Sequence, residues 1–161
     1  MGLDQYLTAT AYISRFDFTE MYDGTSERKQ NQIFTDLVEQ FNVSEHIDNS
    51  GFAGISIDFP MGYWRKANQI HNWFVQELAE GDDNCRPMFV NYENLEALRS
   101  LCVEVIANKH LASELLPTSA GFFFGSEAYD TYYFADLQNT INIIDRCLAS
   151  PYDYFQYQAS W

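Results

Sequence analysis

The segment Tyr63-Trp64-Arg65-Lys66-Ala67-Asn68-Gln69-Ile70-His71 gathers two adjacent cations and a histidine in an otherwise acidic chain. Arg65 offers a planar fork for a carboxylate or phosphate, and Lys66 a compact point charge. An unperturbed imidazole titrates near neutrality, so His71 has the chemistry of a general acid or base. Plainer roles stand beside these. Arg65 and Lys66 can pair with surplus surface acids, and His71, in register with Trp64 and Phe74, reads as a hydrogen-bonded core histidine. A second cluster, Asp130, Tyr132, Tyr133 and Asp136, sets carboxylates and phenols near the start of the last predicted helix. Acids there are stabilised by the helix dipole, typically by ~0.3–1 kcal/mol. The functional alternative is a polar pocket lining shared with Arg65 or His71.

Two further stretches carry weaker signals. Gly121-Phe122-Phe123-Phe124-Gly125-Ser126 resembles a glycine-flanked loop ahead of a helix, where backbone N–H groups hold anions. Its spacing is neither that of a P-loop nor that of a dinucleotide fingerprint, and Glu127 and Asp130 would repel a phosphate. An aromatic strand or plug between tight turns is expected instead. Glu77, Glu80, Asp82 and Asp83 form the densest acidic run. They lack the ligand spacing of an EF-hand loop, so an acidic surface is expected, with no metal and no cofactor. No GxSxG, HExxH or paired Cys/His pattern occurs, and nothing identifies a nucleophile.

These residues must be positioned by elements that the hydrophobic pattern outlines. Residues 3–16 read as extended, with Leu3, Tyr6, Ala9, Tyr12 and Phe16 among threonines. Asp23 to Ser26 supplies a turn and a helix N-cap, and Ile33, Phe34, Leu37, Val38 and Phe41 recur at helical spacing over 27–41. Asn49-Ser50-Gly51 breaks the pattern. A strand follows over 52–59, marked by Phe52, Ile55, Ile57 and Phe59 and ended by Pro60. The clearest helix runs over 63–78, with Trp64, Ala67, His71, Phe74 and Leu78 at steps of three and four. Pro87 to Val90 is extended, and Asn91 caps a helix that buries Leu95, Leu98, Cys102, Val105 and Ile106. A long helix spans 129–148 through Tyr133, Leu137, Ile141, Ile144 and Leu148, and an aromatic strand closes the chain over 152–161. The expectation is α+β: one domain over 1–161, with about four helices on a small, mostly antiparallel sheet.

Charge and composition narrow the function classes. In 161 residues, 9 Lys and Arg stand against 23 Asp and Glu, a net −14. Hydrophobic content of 47% and aromatic content of 17% exclude a disordered acidic tail. Direct nucleic-acid binding is not expected, because it needs positive charge to displace condensed counterions. Anionic membrane surfaces are repelled too, and no apolar run approaches the ~18 residues of a span. Cys85, Cys102 and Cys147 are odd in number and widely spaced, as in a reduced, cytoplasmic protein. The amino-terminal residues have neither the basic nor the apolar region of a signal peptide.

The tract Tyr63 to His71, with Met1-Gly2-Leu3-Asp4, Leu115-Leu116-Pro117-Thr118, Gly121 to Gly125 and Ser160-Trp161, is similar to a family of small uncharacterised proteins encoded by bacteriophages, prophages and their hosts. The likeness touches both ends and the middle of the chain. It implies a context of phage accessory genes, many of which redirect host metabolism or block host defence, and assigns no role to any residue.

Two readings follow. In the first, the acidic chain binds and antagonises a host protein with a basic surface, such as a defence nuclease or CRISPR complex, by nucleic-acid-like charge, with exposed Tyr and Trp as anchors. In the second it is a small-molecule binder or enzyme for a nucleotide or anionic metabolite. Trp64, Phe122, Phe123 and Phe124 would wall its pocket, Arg65 and Lys66 would hold the anionic group, and His71 or Asp130, beside Tyr133, would move protons. Whole-chain charge ranks the first reading ahead.

Overall fold

The computed structural model describes residues 2–17, 29–48 and 53–161. The fold is α+β, as the pattern predicts. Five helices occur among the described residues rather than about four, the extra one being the single turn α4 (Ala112–Leu115). Two compact units divide the chain, Met1–Ala9 with Phe59–Trp161 and Thr10–Asp58.

The larger unit is built on a four-stranded sheet in the order β4-β1-β6-β5. Its strands are β1 (Asp4–Ser14), β4 (Gly54–Arg65), β5 (Met88–Asn91) and β6 (Tyr154–Ser160), of which β1 and β4 also supply residues to the second unit. Both β1 and β5 run antiparallel to β6, with Leu7 opposite Tyr157 and Val90 opposite Phe155. Alternation fixes this register. Leu7 and Ala9, Phe155, Tyr157 and Ala159, and Met88 and Val90 all point to the buried face, which a slip of one residue would turn to solvent. That face is covered by α2 (Asn68–Ala79), α3 (Tyr92–Ala107) and α5 (Thr131–Leu148). Phe74 of α2 lies flat on Tyr157 of β6, with ring centroids 3.9 Å apart. Asn91 caps α3 through a reciprocal capping box with Asn94, as predicted for that position.

Two boundaries differ from the sequence expectation for one reason. Pro60 does not end its strand; β4 continues to Arg65. β4 lies at the edge of the sheet, where a residue without an N–H costs no ladder bond. Trp64 therefore sits on a strand and α2 begins only at Asn68. The helical step from Trp64 to Ala67 and His71 coincides with the strand step from Gly62 to Trp64, and the strand prevails. Gly62 makes the packing possible, since a Cβ there would lie 2.5 Å from Ile143 Cγ2 of α5. Lys66, at φ 61°, turns the chain from strand into helix.

In the second unit, β2 (Phe16–Asp17) pairs with β3 (Lys29–Gln30), and α1 (Gln32–Gln40) starts at Asn31, whose side chain accepts from the Ile33 N–H. Helix α1 buries Phe34 and Val38 but leaves Ile33 and Phe41 exposed, so its apolar stripe is narrower than its spacing suggests. The predicted cap at Asp23 to Ser26, the break at Asn49 to Gly51 and the strand start at Phe52 lie outside the described residues.

Candidate functional site: a polar cleft at the strand-to-helix turn

A cleft of about 280 Å³ opens where β4 hands over to α2, bounded by Arg65, Lys66, Gln69, the 125–128 segment and the first turns of α5. At ~30 Å³ per water, that is room for about nine water molecules. Its far wall is a loop with no regular structure, which the buried Asn68 holds in place. Asn68 Nδ2 donates to the carbonyls of Phe124 (3.1 Å) and Ser126 (2.9 Å), and its Oδ1 accepts from the Ser119 N–H (3.0 Å). Gly125 is required at the closest approach: its φ is +96°, and a Cβ would meet Lys66 Cβ at 3.0 Å and the Lys66 carbonyl at 3.3 Å. On the opposite side Asp130 caps α5, accepting from the Tyr132 (2.9 Å) and Tyr133 (3.1 Å) N–H groups. The Tyr133 hydroxyl donates to Leu116 O at 2.8 Å.

The floor is polar. Gln69 Nε2 donates to Asp136 Oδ2 across 3.4 Å. Burial raises the proton affinity of the Asp136 carboxyl above its ordinary range; the Gln69 contact opposes this and the Asp130 charge adds to it. Burial likewise raises Tyr133, with smaller contributions from Tyr129 and Cys102. At the rim, Arg65 and Lys66 are exposed, and among the described residues neither side chain takes part in an ion pair or hydrogen bond. The cations thus do not pair with the surplus acids. Ala67 follows them at the N-cap of α2 without a side-chain acceptor, and the Lys66 and Ala67 carbonyls accept from the Asn68, Ile70 and His71 N–H groups.

Of the residues singled out by sequence, Arg65, Lys66, Asp130, Tyr132, Tyr133 and Asp136 converge on this cleft. Trp64, His71 and the phenylalanine run do not line it. Trp64 is buried, and its Nε1–H donates to Thr140 Oγ1 (2.9 Å), which donates to the Asp136 carbonyl (2.7 Å); this chain steadies α5 beneath the cleft. His71 is a core residue with a hydrogen-bonding partner at each ring nitrogen. Its Nδ1 lies 2.9 Å from the Tyr157 hydroxyl and its Nε2 lies 3.1 Å from Asp83 Oδ2. Gln5 continues this network. Its Nε2 donates to Ala67 O, which turns its Oε1 toward the Tyr157 hydroxyl to accept at 3.0 Å. The GFFFG segment is a set of turns rather than a strand. Phe124 is its buried plug, set edge-on to His71 and Trp161, while Phe123 is half-buried and Phe122 is 93% exposed. Glu77, Glu80 and Asp82 form the expected acidic surface, and Asp83 turns inward to His71.

Sequence reasoning missed Asn68 and Gln69, which looked like the polar face of a helix and are instead buried. The local pattern carries no signal for them, because their partners lie on the 119–126 segment and on α5. Among the described residues no group of three acidic, His or Cys side chains could hold a metal ion, and no helix is long and apolar enough to cross a membrane. No protein-family model, curated protein or solved structure matches the chain.

Proposed function

We propose that the chain binds a small anionic ligand in the Arg65–Lys66 cleft, the ligand also presenting a hydroxyl or amine to Asp136. One observation carries this reading: a chain of net charge −14 keeps two adjacent cations unpaired at the rim of a cleft with a polar floor. The cleft separates its charges, with Arg65 and Lys66 at the strand-to-helix turn and Asp130 and Asp136 on α5, so the anionic group seats at the cationic end. A unit anion ~4 Å from a cation gains about 4 kcal/mol at an effective dielectric constant near 20. A nucleotide or anionic metabolite of small size fits the lining. We place the protein in the cytoplasm, where Cys85, Cys102 and Cys147, all unpaired, remain reduced.

The test is native mass spectrometry of the protein purified gently from a bacterial host. A bound small molecule that leaves on denaturation, and is lost from the Arg65→Ala/Lys66→Ala variant, is the expected result. Retention of that molecule by the double variant would overturn the assignment.

A second reading is favoured by net charge together with exposed aromatic side chains. It is that of a phage-type accessory protein that antagonises a host protein with a basic surface, such as a defence nuclease or CRISPR complex. Its association would fall steeply as salt rises, because opposite-charge steering is screened over about 8 Å at physiological ionic strength.

A further inference from the structure

The sheet of the larger unit has helices on one face. Its other face carries a grid of exposed and half-buried side chains. The pairings set Thr8 opposite Gln156, Gln156 opposite Phe89, Tyr6 opposite Gln158 and Tyr154 opposite Asn91, and paired residues share a face. Two aromatic pairs stand out. Tyr6 and Tyr63 lie 5.4 Å apart, and Phe89 and Tyr154 lie 5.1 Å apart, each ring at least 46% exposed. Between them run the uncharged side chains of Thr8, Gln156 and Gln158.

We propose that this face docks a cationic segment of another protein, with Arg or Lys side chains laid over the two aromatic pairs. Charge decides among occupants. Aromatic faces are electron-rich and attract ammonium and guanidinium groups, Arg most often. The acid on the face, Asp4, accepts a hydrogen bond from the Tyr63 hydroxyl, and Asp153 borders Tyr154. Arg65, beyond Tyr63 at the end of β4, is the cation that strand alternation places on this side. A second copy of the chain would bring a further −14 and be repelled, and so would a nucleic acid. The uncharged amides and hydroxyl between the aromatic pairs offer hydrogen-bond acceptors at little desolvation cost. This surface rests on the second reading only for the sign of its partner, and it uses none of the cleft residues.

The experiment titrates the full chain with a fluorescent alternating Arg-Ser octapeptide at physiological salt, with a Glu-Ser octapeptide and a single-stranded DNA oligonucleotide alongside. Nitrogen-proton correlation spectra locate the contact. The surface predicts peptide-induced shifts at Thr8, Phe89, Gln156 and Gln158, and about a tenfold loss of affinity in Phe89→Thr/Tyr154→Thr, a variant that leaves net charge unchanged. Threonine suits a strand, and retention of the native circular dichroism and urea midpoint shows that the sheet persists. Glu77→Gln/Glu80→Gln, which removes two charges from α2, is expected to change affinity less than twofold. The inference is overturned if the glutamine variant weakens binding as much as the aromatic one, if the oligonucleotide binds in preference to the basic peptide, or if shifts cluster elsewhere. Failure here leaves ligand retention in the cleft unaffected, so the two proposals fall separately.

Discussion

Replacing Asn68 by alanine is the sharpest probe of how the cleft is held. Three hydrogen bonds tie its side chain to the 119–126 segment, at 2.9, 3.0 and 3.1 Å, and the residue is buried. A hydrogen bond of this type contributes about 0.5–1.5 kcal/mol net, so losing three costs roughly 1.5–4.5 kcal/mol if the backbone groups stay sequestered. With a urea m-value of about 2 kcal/mol per molar, the midpoint should fall by on the order of 1–2 M. Asn68→Asp separates hydrogen bonding from volume. It keeps the acceptor for the Ser119 N–H but turns a carboxylate toward the carbonyl oxygens of Phe124 and Ser126, so it should destabilise at least as much as alanine. Hydrogen exchange adds a local readout, because the Ser119 amide should lose protection in Asn68→Ala. A loss below about 0.5 kcal/mol in alanine, well short of the three-bond sum, would refute the reasoning. So would an aspartate variant as stable as the parent.

Asp136 supplies a pH test. Its folded-state pKa is raised above the ordinary 3.8, chiefly by burial, so the native state holds that proton to higher pH than the unfolded chain does. Stability contributed by this group is therefore present at low pH and lost as pH rises through the folded pKa. Asp136→Asn should gain stability relative to the parent at pH 7 and lose that advantage at pH 3, read from urea midpoints at both values; the opposite trend would sink the assignment. Tyr157→Phe removes the hydroxyl between His71 and Gln5, leaving two buried polar atoms without partners. At about 1–3 kcal/mol each, the cost is roughly 2–6 kcal/mol. A calorimetric stability within 1 kcal/mol of the parent, on the order of a single surface change, would show the network is not satisfied as drawn.

Much of the fold was legible because burial imposes a period. The stripe Leu95, Leu98, Cys102 and Val105 and the cap Asn91 place α3, and Tyr133, Leu137, Ile141 and Ile144 place α5. The misplacement of Trp64 arose because a two-residue and a three-to-four-residue period agree over a short stretch next to Gly62. Pro60 misled because sequence does not say which strand lies at an edge. Half the cleft was legible for chemical reasons: two adjacent cations on an acidic chain and a helix-capping carboxylate are conspicuous by type. The other half was not, because Asn68, Gln69 and the 125–128 backbone act through burial and through partners some 50 to 70 residues away. His71 read correctly as a core residue from its register. Its partners on the Asp83 turn and on β6 had no local signature.

The pairing of β1 with β6 has a consequence for how the larger unit comes into being. Its two central strands lie about 150 residues apart in sequence, with Ala9 opposite Phe155, and β5 joins the sheet only through β6. At a synthesis rate of about 5–20 residues per second, β1 emerges roughly 7–30 s before its partner exists. During that interval the buried-face side chains of β1, and of β5 once it is made, lack the strand that completes their sheet. Closing so long a loop is costly in chain entropy, and distant pairings of this kind slow folding. Completion of the sheet thus waits on one late strand, and until it arrives the nascent chain presents the kind of apolar surface that chaperones hold.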